Sequence, residues 1–354
     1  MKKEDKILSI ILIAGLFVFI AVADKFFNLY VQRVLNLCAI YTILALSMNL
    51  INGFTGLFSL GHAGFMAIGA YMVGIFTVPV EIRPMVYFMK PMHPLIADIE
   101  LPFLAALILG GLFSAFIAFL IGAPVLRLRD DYLAIATLGF SEIIRIIITN
   151  AQSITNGSLG IKNIPPVANI WWIYITMIIS IAFMVLLINS SYGRAFKAIR
   201  EDEIAAEAMG INLFKHKMMS FMIGAFFAGI GGGLYAALLG TVDPKNFLFV
   251  LTYNFLLIIV LGGMGSVSGT IISAYIVTAG QEWLRFLDEP LYIGNVAIPL
   301  FRPGFRMVIF SLLLMIIVLF YRDGLMGTRE LNWDMIKNFG RRIRLRRVKS
   351  GEAQ

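Results

Sequence analysis

Residues able to do ionic chemistry concentrate in one stretch of this chain, Gly193 to Lys217, which reads GRAFKAIREDEIAAEAMGINLFKHK. Arg194, Arg200, Glu203 and Glu207 can form ion pairs with another surface, while Ala205, Ala206 and Gly210 keep the stretch slim enough for a groove. Asp202 is expected to cap the start of a short helix. Within it Ile204, Ala208 and Ile211 recur at i, i+4 and i+7, and Glu203 and Glu207 occupy a second face. Gly210 stands where such a helix stops, and an earlier helix is expected from near Ser191 through Ile199. No nucleophile is activated by this pattern. The chemistry it suits is recognition of a partner.

The remaining polar groups are scattered. Glu142 and Arg145 stand at i, i+3 in an apolar segment, where a charge costs about 2.5–3.5 kcal/mol on insertion scales and therefore faces protein or water; they are expected to form a structural ion pair at the edge of a broken helix. His62 reads as a packed neutral imidazole with no metal-ligand spacing around it. The single cysteine, Cys38, can form no internal disulfide and reads as packing. There is no G-x4-GK[ST] phosphate loop and no His, Cys or carboxylate constellation of the enzymatic kind, so no cofactor and no metal are expected in the chain.

Two segments are rich in glycine and small hydroxyls: NGFTGLFSLGHAGFMAIG at Asn52 to Gly69 and LGGMGSVSGT at Leu261 to Thr270. Glycines in apolar segments either let helices approach closely or interrupt a helix so that its backbone lines a polar cavity. Asn49, Asn52, Ser59, His62 and Ser266 lie in or beside these segments and are the candidates for a substrate path. AGIGGG at Ala228 to Gly233 is expected to serve close packing.

The frame for these residues is membrane. Of 354 residues, 59% are hydrophobic and 14% charged, with a mean hydropathy of +0.86, which soluble domains of ordinary size cannot bury. A span needs roughly 20 apolar residues. Suitable runs are Ile7 to Ala23, Val34 to Val80 (two helices), Leu101 to Ala123, Tyr132 to Thr149, Trp171 to Ile188, Met218 to Val242, Asn246 to Gln281 (two helices) and Phe305 to Tyr321. They predict an all-α polytopic integral membrane protein of about ten transmembrane helices, some broken.

Positively charged loops stay cytoplasmic, and most of the 29 Lys and Arg residues fall on one side if both termini are cytoplasmic. Residues 1–354 then form a single transmembrane domain, with a polar cytoplasmic segment at 190–217 and a basic cytoplasmic tail at 322–354. The tail, with Arg341, Arg342, Arg344, Arg346, Arg347 and Lys349, reads as an anchor on anionic lipid and not as a nucleic-acid site. A competing reading of Met1 to Ala23 is a signal peptide ending in Ala21-Val22-Ala23. The long outer loops, Glu81 to Glu100 and Ala151 to Asn169, carry prolines and are expected to hold ordered turns.

Several blocks, in order, carry a family resemblance. They are GLFSLGHAGFMAIGAY (Gly56 to Tyr71), YLAIATLGFSEIIRI (Tyr132 to Ile146), GR-x3-AIR (Gly193 to Arg200), DEIAAEAMGI (Asp202 to Ile211), LYAALLG (Leu234 to Gly240), LGGMGSVSG (Leu261 to Gly269) and DGLMG (Asp323 to Gly327). Over nearly its entire length the chain resembles the permease subunits of ABC importers of the branched-chain amino acid type, and the block order is similar to the LivM-like half of that permease pair.

Such permeases carry a cytoplasmic EAA-x3-G loop that docks into an ATPase subunit. Here Ile204-Ala205-Ala206-x3-Gly210 is similar, with its acid shifted to Glu203 or Glu207. The resemblance implies ATPase coupling through Arg194, Ile199, Arg200, Glu203, Ala205, Ala206, Glu207 and Gly210. It implies as partners a second, LivH-like permease, two ABC ATPase subunits that bind ATP and magnesium, and a periplasmic substrate-binding protein, in a bacterial or archaeal cytoplasmic membrane. Relatives of this kind also move urea, short amides or other small amino acids. A rival class, the ion-coupled secondary transporter, needs intramembrane acids, and Glu142 is the one acid placed well inside a span.

Overall fold

Each apolar run becomes a helix. The computed structural model describes residues 3–128, 130–288, 292–293, 296–297, 304–320, 324–327 and 330–331. The apolar helices are α1 (Lys3–Phe26), α2 (Leu29–Asn49), α3 (His62–Thr77), α4 (Phe103–Val125), α5 (Asp130–Asn150) and α6 (Ile170–Asn189). Two polar helices follow, α7 (Ser191–Glu201) and α8 (Glu203–Ala208), and the series closes with α9 (Leu213–Leu239), α10 (Phe249–Gly262), α11 (Val267–Trp283) and α12 (Phe305–Phe320). Two strands of two residues each, Tyr292–Ile293 and Val296–Ala297, pair antiparallel and are the strands among the described residues.

Among the described residues five helices are long and apolar enough to cross a membrane, or six if α3 and Val80–Val86, bent by 96° at their junction, count as one span. The basic tail lies almost wholly outside the described residues, apart from 324–327 and 330–331.

Starts of helices follow the side chains that can accept from free N–H groups. Asn28 opens α2, Asn169 opens α6 and Ser190 opens α7. Asp202 accepts from the N–H groups of Ile204 and Ala205 at 2.9 and 3.0 Å to open α8, and Asn212 accepts from Lys215 at 3.0 Å to open α9. A single residue, Asp202, thus separates α7 from α8 and turns the chain between them.

The middle of the bundle is built on α2 and α9. In the most apolar window of the span that includes α2, 78% is buried, and for α9 the share is 67%; for α4, α5 and α6 it is 33–39%. The outer helices turn Leu104, Ile108, Leu112, Ile135, Ile147, Ile179 and Leu186 outward. Large apolar side chains on that perimeter suit hydrocarbon and would be costly in water.

Glycine sets the central spacing. A Cβ on Gly69 of α3 would overlap the backbone of Gly229 on α9, and one on Gly232 of α9 would overlap the Met66 carbonyl of α3. The Ser114 hydroxyl of α4 donates to the Phe65 carbonyl at 3.0 Å, joining a third helix to this contact. Small residues permit such approach, and dispersion over the close contact holds it. The segment Ala228 to Gly233 is therefore a packing face, as its composition suggests.

The long loops are ordered. Short helices form at Arg83–Val86, Pro94–Ala97 and Gln152–Thr155. Arg83 is buried and its guanidinium donates to the carbonyls of Val78, Ile96, Ala97 and Ile99 at 2.6–3.0 Å, folding the first loop around one cation. Tyr87 reaches the second loop by donating to the Ile154 carbonyl at 2.8 Å, and burial pushes its phenol up to about 12.

Candidate functional site: two helix breaks and a polar hairpin

After α2 the backbone widens into a π turn, Leu50–Phe54, then runs without helix to Gly61 before α3 begins at His62. The other interruption is Gly263 to Ser266, between α10 and α11. Gly263 and Gly265 have φ of 106° and 87°, a region that favours glycine. These two breaks, more than two hundred residues apart in sequence, meet in space. A Cβ on Gly53 would stand 2.5 Å from the Gly265 nitrogen.

Asn49 joins them. Its Nδ2 donates to the Ser266 carbonyl at 3.0 Å and to Thr270 Oγ1 at 2.8 Å, and its Oδ1 accepts from the Gly265 N–H at 3.0 Å. Asn49 and Ser266 are both fully buried. Ser266 also caps α11, accepting from the Gly269 N–H at 3.1 Å. Both side chains are committed to holding backbone together.

The other path candidates are bonded within the first break. Asn52 pairs with the backbone of Ser59, donating to its carbonyl at 3.2 Å and accepting from its N–H at 3.4 Å. His62 is buried, with Nε2 at 2.8 Å from Ser47 Oγ. Ser47 spends its one proton on the Leu44 carbonyl at 2.8 Å, so its oxygen is left to accept from the ring. The start of α3 is met by two threonines from other helices: Thr137 Oγ1 accepts from the Leu60 N–H at 2.9 Å, and Thr252 Oγ1 from the Ala63 N–H at 3.1 Å.

Asn49 yields a direct test. Asn49→Ala orphans the buried Gly265 N–H and leaves a void, costing about 3 kcal/mol. Asn49→Asp keeps the shape but turns an acceptor toward the Ser266 carbonyl, and is expected to be worse. Thermal unfolding of the purified chain in detergent should rank the variants wild type, Ala, Asp; an Asp variant as stable as wild type would mean that the amide does not bridge the breaks.

Residues from the far end of the chain complete the second break. The N–H groups of Leu325 and Met326 donate to the carbonyls of Leu261 and Gly262 at 2.7 and 3.1 Å, covering the end of α10. Glu330 accepts from the N–H groups of Val267 and Ser268 at 2.7 and 3.0 Å and from the Ser268 hydroxyl at 2.6 Å. A carboxylate at a helix start suits the partial positive charge there. Sequence reasoning passed over Glu330; its one signal was an acid within a basic tail.

The polar hairpin α7–α8 packs against the first break. Gly193, Ala195, Phe196 and Ile199 are buried and Arg194 is exposed, so α7 lies on the bundle by one face. In α8, Ala206 is 3% exposed, whereas Ile204 and, just past the helix end, Met209 are 81% and 83% exposed. Glu203 pairs with Lys217 of α9 at 2.6 Å, and exposed Glu207 has no ion pair among the described residues. Gly210 has φ of 82° and open space where a Cβ would be.

Ile199 and Ala206 point into their own chain, and Ile204 is outward; in a helix of six residues the neighbours, not the 3.6-residue period, decide which side is covered. A groove of about 550 Å³ runs beside the hairpin, lined among others by Gly56, Phe58, Asp131, Arg200, Glu207 and Leu213.

Glu142 and Arg145 form an ion pair at 2.8 Å, each about a quarter exposed. They sit within an unbroken α5, not at the end of a broken helix. Among the described residues no group of three or more His, Cys, Asp or Glu could hold a metal ion.

Interlocked helix breaks inside a bundle of membrane-length helices, with a charged hairpin beside them, are the build of a multi-pass membrane protein. The chain belongs to the branched-chain amino acid transport system / permease component family, whose profile matches residues 30–319. It is 36% identical over 284 residues to the high-affinity branched-chain amino acid transport system permease protein LivM of Salmonella typhimurium, covering 71% of this chain and 62% of that protein. To LivM of Escherichia coli it is 35% identical over 288 residues, covering 72% and 63%. The chain thus spans less than two thirds of the length of these two relatives. LivH of Salmonella typhimurium is 24% identical over 277 residues, covering 72% of this chain and 86% of that protein. No solved structure matches the chain.

Proposed function

We propose that this chain is the transmembrane permease subunit of an ABC importer that carries leucine, isoleucine and valine across a bacterial or archaeal cytoplasmic membrane. The observation that carries the reading is the family match through residues 30–319, which takes in both helix breaks and the exposed α7–α8 hairpin. The permease itself performs no phosphate chemistry; ATP and magnesium belong to two partner ATPase subunits. A LivH-like permease completes the pathway, and a periplasmic binding protein delivers the amino acid.

In this reading ten helices cross the membrane: α1 to α6, then α9 to α12. Both termini and the α7–α8 hairpin are cytoplasmic, and the basic tail rests on anionic lipid. Arg194, Glu203, Ala205, Glu207 and Gly210 form the exposed part of the ATPase-facing surface, together with Ile204 and Met209. Ile199, Arg200 and Ala206 seat that surface on the bundle. Closure of the ATPases on nucleotide pulls on the hairpin, and the two breaks open the pathway to alternate sides. Each ligand must favour one state of the permease, because a conformational equilibrium shifts only through differential affinity.

The test is reconstitution of the chain with its sister permease, ATPases and binding protein in proteoliposomes. Uptake of radiolabelled leucine should require ATP inside and binding protein outside, and excess isoleucine or valine should compete where urea does not. Uptake by this chain alone on a proton or sodium gradient would overturn the reading, and competition by urea would reassign the cargo.

A further inference from the structure

Arg200 occupies a position that a docking residue does not need. Near the end of α7, its guanidinium turns back into the bundle, and Nη1 donates to the Gly53 carbonyl at 3.0 Å. Gly53 lies in the π turn that ends the α2 span, where helix carbonyls lack their usual partners. The same Nη1 lies against the second break: a Cβ on Gly265 would stand 2.6 Å from it. Gly56, with φ of 76°, brings its backbone onto the arginine stem, where an added Cβ would be 3.0–3.2 Å from Cγ, Cα and Cβ of Arg200.

The other side of the guanidinium is held as well. Glu201 accepts from Nε at 3.1 Å and from Nη2. One planar cation therefore touches the polar hairpin, the end of the α2 span and the start of the Gly263 to Ser266 break. Asn49 ties the same two breaks together through Gly265, Ser266 and Thr270. A guanidinium is planar and always charged, and the Gly56 backbone confines the stem that carries it, so a pull on α7 is passed to Gly53.

We propose that Arg200 is the positioning residue that transmits motion of the α7–α8 hairpin to the paired helix breaks, and that it does not contact the ATPase. This rests on the importer reading above. The test uses the full assembly with its ATPases and binding protein in proteoliposomes, carrying Arg200→Met, Arg200→Lys or Gly265→Ala. Methionine keeps the apolar stem and removes the guanidinium; alanine at 265 leaves the arginine but displaces its head.

In the Arg200→Met assembly the ATPase subunits should still copurify. Stimulation of ATP hydrolysis by loaded binding protein, and uptake, should fall about tenfold or more, the scale of a lost coupling between sites. Arg200→Lys should recover part of the stimulation, and Gly265→Ala should reproduce the loss with the ATPases retained. Loss of the ATPases from Arg200→Met would make Arg200 a docking contact and overturn the inference. Wild-type stimulation and uptake in Arg200→Met or in Gly265→Ala would overturn it too. A wild-type chain that retains no ATPase at all would defeat the importer reading instead, which separates the two failures.

Discussion

Replacing Ile204 and Met209 together by aspartate is expected to strip the ATPase subunits from the assembled transporter and to abolish uptake. Both side chains stand more than four fifths exposed on or beside a helix of six residues. Large apolar side chains so placed, next to a charged groove, are what an interface covers. If each anchors about 2 kcal/mol of association, and 1.4 kcal/mol is tenfold, losing both weakens docking roughly a thousandfold. The bundle should be untouched, since neither residue is buried. Copurification of the ATPases with the double variant, at wild-type ratio, would show that the partner sits elsewhere.

The same logic separates changes that look equivalent in the sequence. Ala206→Arg would force a cation into a position 3% exposed, so it damages the seating of the hairpin on its own chain. Gly210→Asp meets no neighbour, and aspartate is among the residues that best tolerate a left-handed backbone. It adds one charge to an exposed surface and is the milder variant of the two.

The largest effect on folding is expected from Gly232→Val. On α9 the new Cβ would overlap the Met66 carbonyl of α3, and the obstacle is backbone, which cannot rotate away. Overpacking a core typically costs about 1–3 kcal/mol where side chains can adjust; here two central helices must move apart, with Gly69 and Gly229 in the same seam. The chain should largely disappear from the membrane, and what remains should unfold in detergent well below wild type. Gly139→Ala is the control, because nothing lies within 4 Å of the added carbon, and it should be neutral. Wild-type accumulation of Gly232→Val would mean that α3 and α9 are not in backbone contact.

Much of this architecture was legible in the sequence because lipid imposes a simple demand. A helix in hydrocarbon must be apolar for its whole length, and each run so identified is helical here. Asp202 and Gly210 were readable for a similar local reason: a cap and a left-handed stop depend on the residue itself. The Glu142–Arg145 pair followed from a three-residue spacing.

What the sequence hid was long-range. Nothing around Asn49 announces that its amide crosses to Ser266 and Thr270, because the partners lie more than two hundred residues away and hydrogen bonds of that span leave no periodic trace. Glu330 on the start of α11 and Arg200 on Gly53, with partners 63 and 147 residues away, leave no periodic trace either. Which side of α8 is covered was not readable, because six residues make under two turns, too few for an apolar stripe to outvote the contact made by Ala206 and the Glu203–Lys217 pair. The small polar residues of the breaks were readable as unusual; that several of them serve as backbone staples emerged only with their partners in place.

The clasp made by Leu325, Met326 and Glu330 bears on how the protein is made. During synthesis α10 and α11 leave the ribosome first, and their facing ends stay bare until α12 has been made and the following turn has returned to cover them. Closure of the second break is thus a late event of biogenesis, and a chain stalled within α12 would carry its finished helices with that joint still open.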